Sequence, residues 1–109
     1  MAEKFFDAGP ADALRAGTMR CVAIGARRVL IANVEGAYYA TDDRCTHEDA
    51  SLSSGVLQGA LVRCPLHGSR FDLRSGEALE EPAEQNLRTY AVRVEGGRLL
   101  VACPDGTQA

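Results

Sequence analysis

The chain has 109 residues, of which 46% are hydrophobic and 25% charged, and its formal net charge is −3. This length fits one domain, so we expect a single domain over residues 1–109. The negative charge argues against a nucleic-acid partner, because binding to phosphate backbones depends on accumulated lysine and arginine. The apolar runs are too short to cross a bilayer and no secretory signal is visible, so we expect a cytoplasmic protein without a membrane partner.

In chain order, the first predicted element is a short helix, and strands follow it. Residues 9–17, GPADALRAG, read as a helix of barely two turns. Three β-type runs then follow one another closely, which predicts an antiparallel meander. These strands are expected at residues 19–24, 28–33 and 37–42, with hairpin turns at Gly25-Ala26 and Glu35-Gly36.

The C-terminal part of the chain contains the clearest hairpin signal. Residues 88–94 and 98–103 flank Glu95-Gly96-Gly97. Apolar residues alternate along the first of these strands, as one buried sheet face requires, at Tyr90, Val92 and Val94. The sequence therefore predicts an all-β fold, an antiparallel sandwich or meander, whose base comprises residues 1–41 and 83–109.

Residues 42–82 differ from the base, because turn residues interrupt them often and only short pieces resemble strands. Two such pieces, ALVRC at residues 60–64 and RFDL at 70–73, lie on either side of a Cys/His pair. We therefore interpret residues 42–82 as an insertion into the base that carries the chemistry.

Two Cys/His pairs stand out in this insertion, since the chain has only two histidines. Cys45 and His47 form Cys-x-His, and Cys64 and His67 form Cys-x-x-His after 16 intervening residues. Two thiolates and two imidazoles can complete one tetrahedral zinc site or bind the two irons of a small cluster. Zinc fingers usually have both cysteines before both histidines, whereas here each pair supplies one ligand of each kind, which favours the two-iron cluster.

The motif CTH together with CPLHGSRFDLRSG resembles the signature of Rieske-type 2Fe-2S proteins, Cys-x-His and Cys-Pro-x-His about 16 residues apart. The similarity extends to Phe71, Asp72 and Gly76. Pro82 is similar to the proline of a third loop that covers the cluster in this family. In length and in the run ATDDRCTHEDASLSSG, the chain most resembles the free ferredoxins of bacterial aromatic-ring-hydroxylating dioxygenases.

This resemblance implies a Rieske fold in which the insertion, with its two ligand loops, binds one 2Fe-2S cluster. It implies no catalytic residues and no enzyme, but an electron carrier between a flavin-containing reductase and the Rieske centre of a terminal oxygenase. Ala50 and Leu66 stand where respiratory Rieske proteins have further cysteines, so the chain resembles the low-potential branch. The implied metal ligands are Cys45, His47, Cys64 and His67, and the further cofactor-binding residues are Gly68, Ser69 and Pro82, with the amides of Gly68 and Ser69 expected to donate to cluster sulfurs.

Two alternatives remain open at this point, and a third is excluded. The chain resembles in length a small Rieske subunit of a larger reductase, such as nitrite reductase. A structural zinc module would use the same four ligands. An oxygenase would need two further histidines for a mononuclear iron, and the sequence has none left.

Two other groups of residues have less specific interpretations. Cys21 and Cys103 lie in predicted strands without a nearby histidine, so we expect them to pack in the core. The acidic residues of the insertion form either a docking face for partners or a solvated loop. These residues are Glu48, Asp49, Glu77, Glu80, Glu81 and Glu84.

Overall fold

The computed structural model describes residues 4–24, 27–44, 50–65, 68–79 and 86–103, with Cys103 described by its backbone. The described residues form three antiparallel sheets and almost no helix, which confirms the predicted all-β class. Their strands are β1 Lys4–Pro10, β2 Thr18–Ile24, β3 Arg27–Val34, β4 Ala37–Asp42, β5 Val56–Gln58, β6 Leu61–Arg63, β7 Arg70–Asp72, β8 Thr89–Tyr90, β9 Val92–Glu95 and β10 Arg98–Cys103.

The predicted meander forms the central sheet, with strand order β2-β3-β4-β8. The β2–β3 pairing runs from Thr18 opposite Asn33 to Ile24 opposite Arg27, and β4 pairs with the other edge of β3. Glu35 and Gly36 make the predicted turn between β3 and β4, whereas the predicted Gly25-Ala26 turn lies outside the described residues. The meander is thereby confirmed.

Strand β3 is buried on both faces, with five consecutive buried residues from Val29 to Asn33. Its side chains point alternately into two hydrophobic clusters. Val29 and Ile31 pack in the base cluster, while Leu30 and Ala32 pack in the cluster of the insertion. The unbroken apolar run in β3 thus reflects its position between two cores.

The predicted helix over residues 9–17 is wrong. Gly9 and Pro10 end β1, and the only helical residues in this range are one 3₁₀ turn, Ala11–Ala13. The φ angle of Gly9, 107°, is incompatible with a right-handed helix. Strand β1 has no sequence-local partner, because it pairs with β10 at the far end of the chain.

The C-terminal hairpin forms, but its first strand divides between two sheets. Tyr90 pairs with Ala40 of β4, whereas Val92, two residues later, pairs with Val101 of β10. Tyr90 is buried, Val92 is half-buried and Val94 is 46% exposed. The prediction that these three side chains share one buried face is therefore wrong at Val94, since the strand breaks at Ala91 and changes sheet.

The insertion contains its own small sheet, with order β5-β6-β7. Strands β6 and β7 lie within the two predicted pieces, residues 60–64 and 70–73, while β5 was not predicted. The insertion leaves the base at the end of β4 and returns at β8, where the Asp42 amide donates to the Arg88 carbonyl at 3.0 Å. The Tyr90 hydroxyl also donates to the Asp42 carboxylate at 2.5 Å. The limits 42–82 of the insertion stay a prediction.

Among the described residues, the helical segments are too short to traverse a lipid bilayer.

Candidate metal centre

Cys64 is the one predicted metal ligand that lies among the described residues. It follows β6 directly, is a free thiol and is only 2% exposed. Hydrophobic side chains surround it, including Leu52, Val62 and Phe71. The other predicted ligands, Cys45, His47 and His67, lie outside the described residues, as does Pro82.

In the part of the chain that the structure describes, no three His, Cys, Asp or Glu side chains meet as a metal site. This follows from the position of the predicted ligands, of which three fall outside that part. The ligand assignments therefore stay predictions, and the described flanks of the two ligand pairs supply the geometric test.

The second ligand pair begins a loop that two backbone hydrogen bonds close. The Cys64 amide donates to the Ser69 carbonyl at 2.8 Å, and the Gly68 amide donates to the Cys64 carbonyl at 3.1 Å. Gly68 has a φ of 76°, a conformation that residues with a Cβ rarely adopt. Because the Gly68 amide already has an acceptor in the loop, its predicted bond to a cluster sulfur would have to be shared and stays a prediction, as does that of Ser69.

An open cavity of about 490 Å³ lies against Cys64. The segment that follows the first ligand pair reaches this cavity through Ser54 and Gly55. A Cβ on Gly55 would lie 1.9 Å from the Arg63 carbonyl oxygen, so only glycine allows the two segments to approach this closely. The described flanks of both ligand pairs thus meet at one cavity, lined by Ser54, Gly55, Val56, Arg63, Cys64, Pro65 and Gly68.

Asp43, which sequence reasoning did not identify, joins the described residues on the two sides of the first ligand pair. This residue is 1% exposed and lies two positions before Cys45. Its carboxylate accepts hydrogen bonds from the Ser51 hydroxyl and, at 2.8 Å, from the Ser53 amide. An isolated β-bridge joins Arg44 to Ser51. These contacts hold the described residues before and after this pair together. The sequence signal was an aspartate before the motif and a Ser-x-Ser after it.

Cys21 also belongs to the surroundings of Asp43. The thiol is half-buried on β2. Burial raises the pKa of Cys21 to about 11, and the charge and hydrogen bond of Asp43 act in the same direction. Because the thiolate is the metal-binding form, a raised pKa disfavours Cys21 as a ligand, in agreement with its predicted packing role. The side chain of Cys103 is not among the described side chains, so its predicted packing role stays a prediction.

The segment that contains Pro82 is held at both of its described ends. The Leu79 amide donates to the Arg70 carbonyl of β7 at 2.9 Å. On the other side, the Asn86 side chain accepts from the Ala78 amide at 3.0 Å. The described residues on both sides of the predicted third loop therefore lie beside the β5-β6-β7 sheet, which suits the predicted position of that loop over the cluster.

These observations fit a 2Fe-2S group. A buried, unpaired thiol lies at the wall of an open cavity, its loop has the closed geometry of the second motif, and the flank of the first motif lines the same cavity. Cys64, buried among apolar side chains, suits the inner iron of such a group.

Comparison with known proteins identifies the family of the chain. Residues 4–91 match the family model described as the Rieske [2Fe-2S] domain. The chain is 41% identical over 101 residues to the ferredoxin component of the naphthalene 1,2-dioxygenase system of Pseudomonas aeruginosa, covering 93% of this chain and 97% of that protein. It is 42% identical over 100 residues to the ferredoxin subunit of the 3-phenylpropionate/cinnamic acid dioxygenase of Escherichia coli K12, covering 91% and 88%.

A solved structure of the complex of reduced oxygenase and oxidised ferredoxin in carbazole 1,9a-dioxygenase contains a similar chain. The TM-score is 0.87 at 34% identity, and the match covers 93% of this chain and 94% of that one. The family model spans most of the sequence and both Cys/His pairs. The chain therefore belongs to the Rieske [2Fe-2S] domain family.

Proposed function

We propose that the chain is the ferredoxin component of a multicomponent aromatic-ring dioxygenase system. It carries single electrons from a flavin-containing reductase to the Rieske centre of a terminal oxygenase and is not itself an enzyme. One observation carries this proposal: relatives named as ferredoxin components match it over nearly their whole length, at 41% and 42% identity. The similar chain in the carbazole dioxygenase complex supports the oxygenase as a partner.

The residues of the centre have separable tasks. A 2Fe-2S cluster bound by Cys45, His47, Cys64 and His67 supplies reversible one-electron chemistry. The apolar side chains around Cys64 exclude water from its sulfur, which keeps the local dielectric low.

The loops that carry the ligands are held at their ends. Asp43 holds the ends of the first ligand loop, and the Cys64–Ser69 and Gly68–Cys64 bonds close the second. These hydrogen bonds fix the described flanks of both ligand loops, which would limit rearrangement of the ligands when the charge of the site changes.

The two partners require a carrier that binds each of them briefly. Acidic residues of the insertion would steer encounter with a basic partner surface without tight binding. Of this set only Glu77, an exposed residue, lies among the described residues. The docking role of the set, the identity of the reductase and a cytoplasmic location stay parts of the proposal.

Electron paramagnetic resonance of the dithionite-reduced protein is the first test. We expect the signal of a Rieske cluster, whereas zinc in the same ligands would give a colourless and silent protein. The carrier role is then tested by mixing the reduced protein with a terminal oxygenase of this class and following reoxidation by stopped flow.

Size-exclusion chromatography distinguishes the carrier from its nearest alternative. We expect the chain to elute separately from its reductase and its oxygenase at micromolar concentration. Stable co-elution with a larger reductase would instead identify a Rieske subunit of that enzyme.

A further inference from the structure

Arg63 places a positive charge on the second ligand loop. It ends β6 and directly precedes Cys64, and its side chain is exposed. The guanidinium lies against Gly68, since a Cβ built on Gly68 would be 3.2 Å from Arg63 Nε and 3.4 Å from Nη2. Arg63, Cys64 and Gly68 line the same cavity. The charge therefore lies at the rim of the candidate metal centre.

The backbone of Arg63 is fixed on both sides. It pairs with Val56 of β5 and with Arg70 of β7. Its carbonyl oxygen packs against Gly55. The guanidinium thus extends from a backbone that is held in the middle strand of the small sheet.

The charge of Arg63 is not neutralised by a described carboxylate. The ion pairs among the described residues join Arg74 to Asp72, Arg93 to Glu95 and Arg98 to Asp7. Three arginines of the chain thus have a carboxylate partner within the described ranges, and Arg63 is not one of them. Within the described ranges, no carboxylate is therefore paired with this charge at the cavity.

We propose that Arg63 is a potential-setting residue, whose charge raises the reduction potential of the centre in a chain that is otherwise acidic. The inference rests on the proposed function, because it needs a redox centre beside Cys64. Reduction adds one negative charge to the site, and a nearby cation stabilises the reduced form more than the oxidised form. The residue acts on the driving force of electron transfer and binds neither metal nor substrate.

The exposure of Arg63 limits the size of this effect. Solvent raises the effective dielectric constant around an exposed charge, and salt screens it over about 10 Å at 0.1 M. We expect the loss of this charge to shift the reduction equilibrium toward the oxidised form by about three- to tenfold at low salt. A tenfold shift corresponds to 59 mV for a one-electron couple.

The test measures the midpoint potential of the loaded protein in three variants. Arg63→Gln removes the charge, Arg63→Lys keeps it, and Arg93→Gln makes the same change of net charge on β9 of the base. We expect Arg63→Gln to lower the potential, Arg63→Lys to stay near the native value, and Arg93→Gln to shift the equilibrium less than twofold. The effect of Arg63→Gln should shrink at 0.5 M salt.

Two results would overturn the inference. One is a midpoint potential of Arg63→Gln at low salt that equals the potential of the native protein. The other is a midpoint potential that shifts equally in Arg63→Gln and Arg63→Lys, which would exclude the charge as the cause. If Arg63→Gln does not take up the cluster, Arg63→Met, which keeps an unbranched stem over Gly68, replaces it. A native protein without a Rieske resonance signal would refute the proposed function itself, whereas a native signal with an unmoved potential would refute only the role of Arg63.

Discussion

Replacement of Asp43 by alanine should destabilise the fold far more than replacement of a surface carboxylate. The variant leaves the Ser53 amide without its acceptor and leaves the Ser51 hydroxyl with only the Ser53 hydroxyl, 3.0 Å away, in a place where the aspartate itself is 1% exposed. A buried donor without a partner costs about 1–3 kcal/mol. Both serines are half-buried and their hydroxyls can still bond to each other, so we take the lower part of that range for each and expect a loss of about 2–4 kcal/mol.

The assay is urea denaturation of the purified protein followed by circular dichroism. A loss of about 2–4 kcal/mol is a large part of the roughly 5–15 kcal/mol that stabilises a typical domain. Asp43→Asn should lose less, because its amide oxygen can still accept one of the two bonds. The matched control is Glu95→Ala, whose ion pair with Arg93 is solvent-exposed at 2.9 Å and should contribute under about 1 kcal/mol. Equal midpoints for Asp43→Ala and Glu95→Ala would refute the anchoring role.

Two further predictions concern the cysteines. Cys64→Ser should abolish cluster uptake, because the iron loses a soft thiolate and has no spare protein ligand. Cys21→Ala should keep the native visible spectrum and two irons per chain. Native iron content in Cys64→Ser would disprove the ligand assignment. The raised pKa of Cys21, about 11 against an ordinary value of 9.0, means that the folded chain holds this proton more tightly than the unfolded chain. The stability that this proton contributes is complete below pH 9 and is lost as the pH rises from 9 to 11. The native protein should therefore lose stability in this window faster than Cys21→Ala. Urea midpoints that fall equally with pH in both proteins would contradict this prediction.

The features that the sequence predicted correctly depend on residues close together in the chain. The meander β2-β3-β4 consists of hairpins between strands that are adjacent in sequence, and the turn residues Glu35-Gly36 indicate one of these hairpins. Strands β6 and β7 likewise flank a short loop. The Cys/His spacing indicated the family in the same way, because the two members of each ligand pair lie within four residues of sequence.

The features that were missed depend on contacts between distant segments. Strand β1 is a strand because β10 pairs with it, and residues 9–17 alone favoured a helix. Val94 fits the alternating apolar pattern of the sequence, but the strand changes sheet at Ala91 and the Val94 side chain is exposed. Arg63 stands at a strand end like any surface arginine, and only the fold shows its guanidinium against Gly68.

The attachment of the insertion at two neighbouring strands has a consequence for how such carriers diversify. Thr41 of β4 lies opposite Thr89 of β8, so the intervening segment begins and ends at adjacent points of one sheet. A segment closed in this way can change length or composition at small entropic cost to the rest of the chain, as in tolerated domain insertions. The ligand loops, Asp43 and Arg63 all lie within it. Transplanting residues 43–88 between relatives should therefore transfer the redox properties as one unit, provided that β3 of the recipient supplies the apolar side chains that Leu30 and Ala32 supply here.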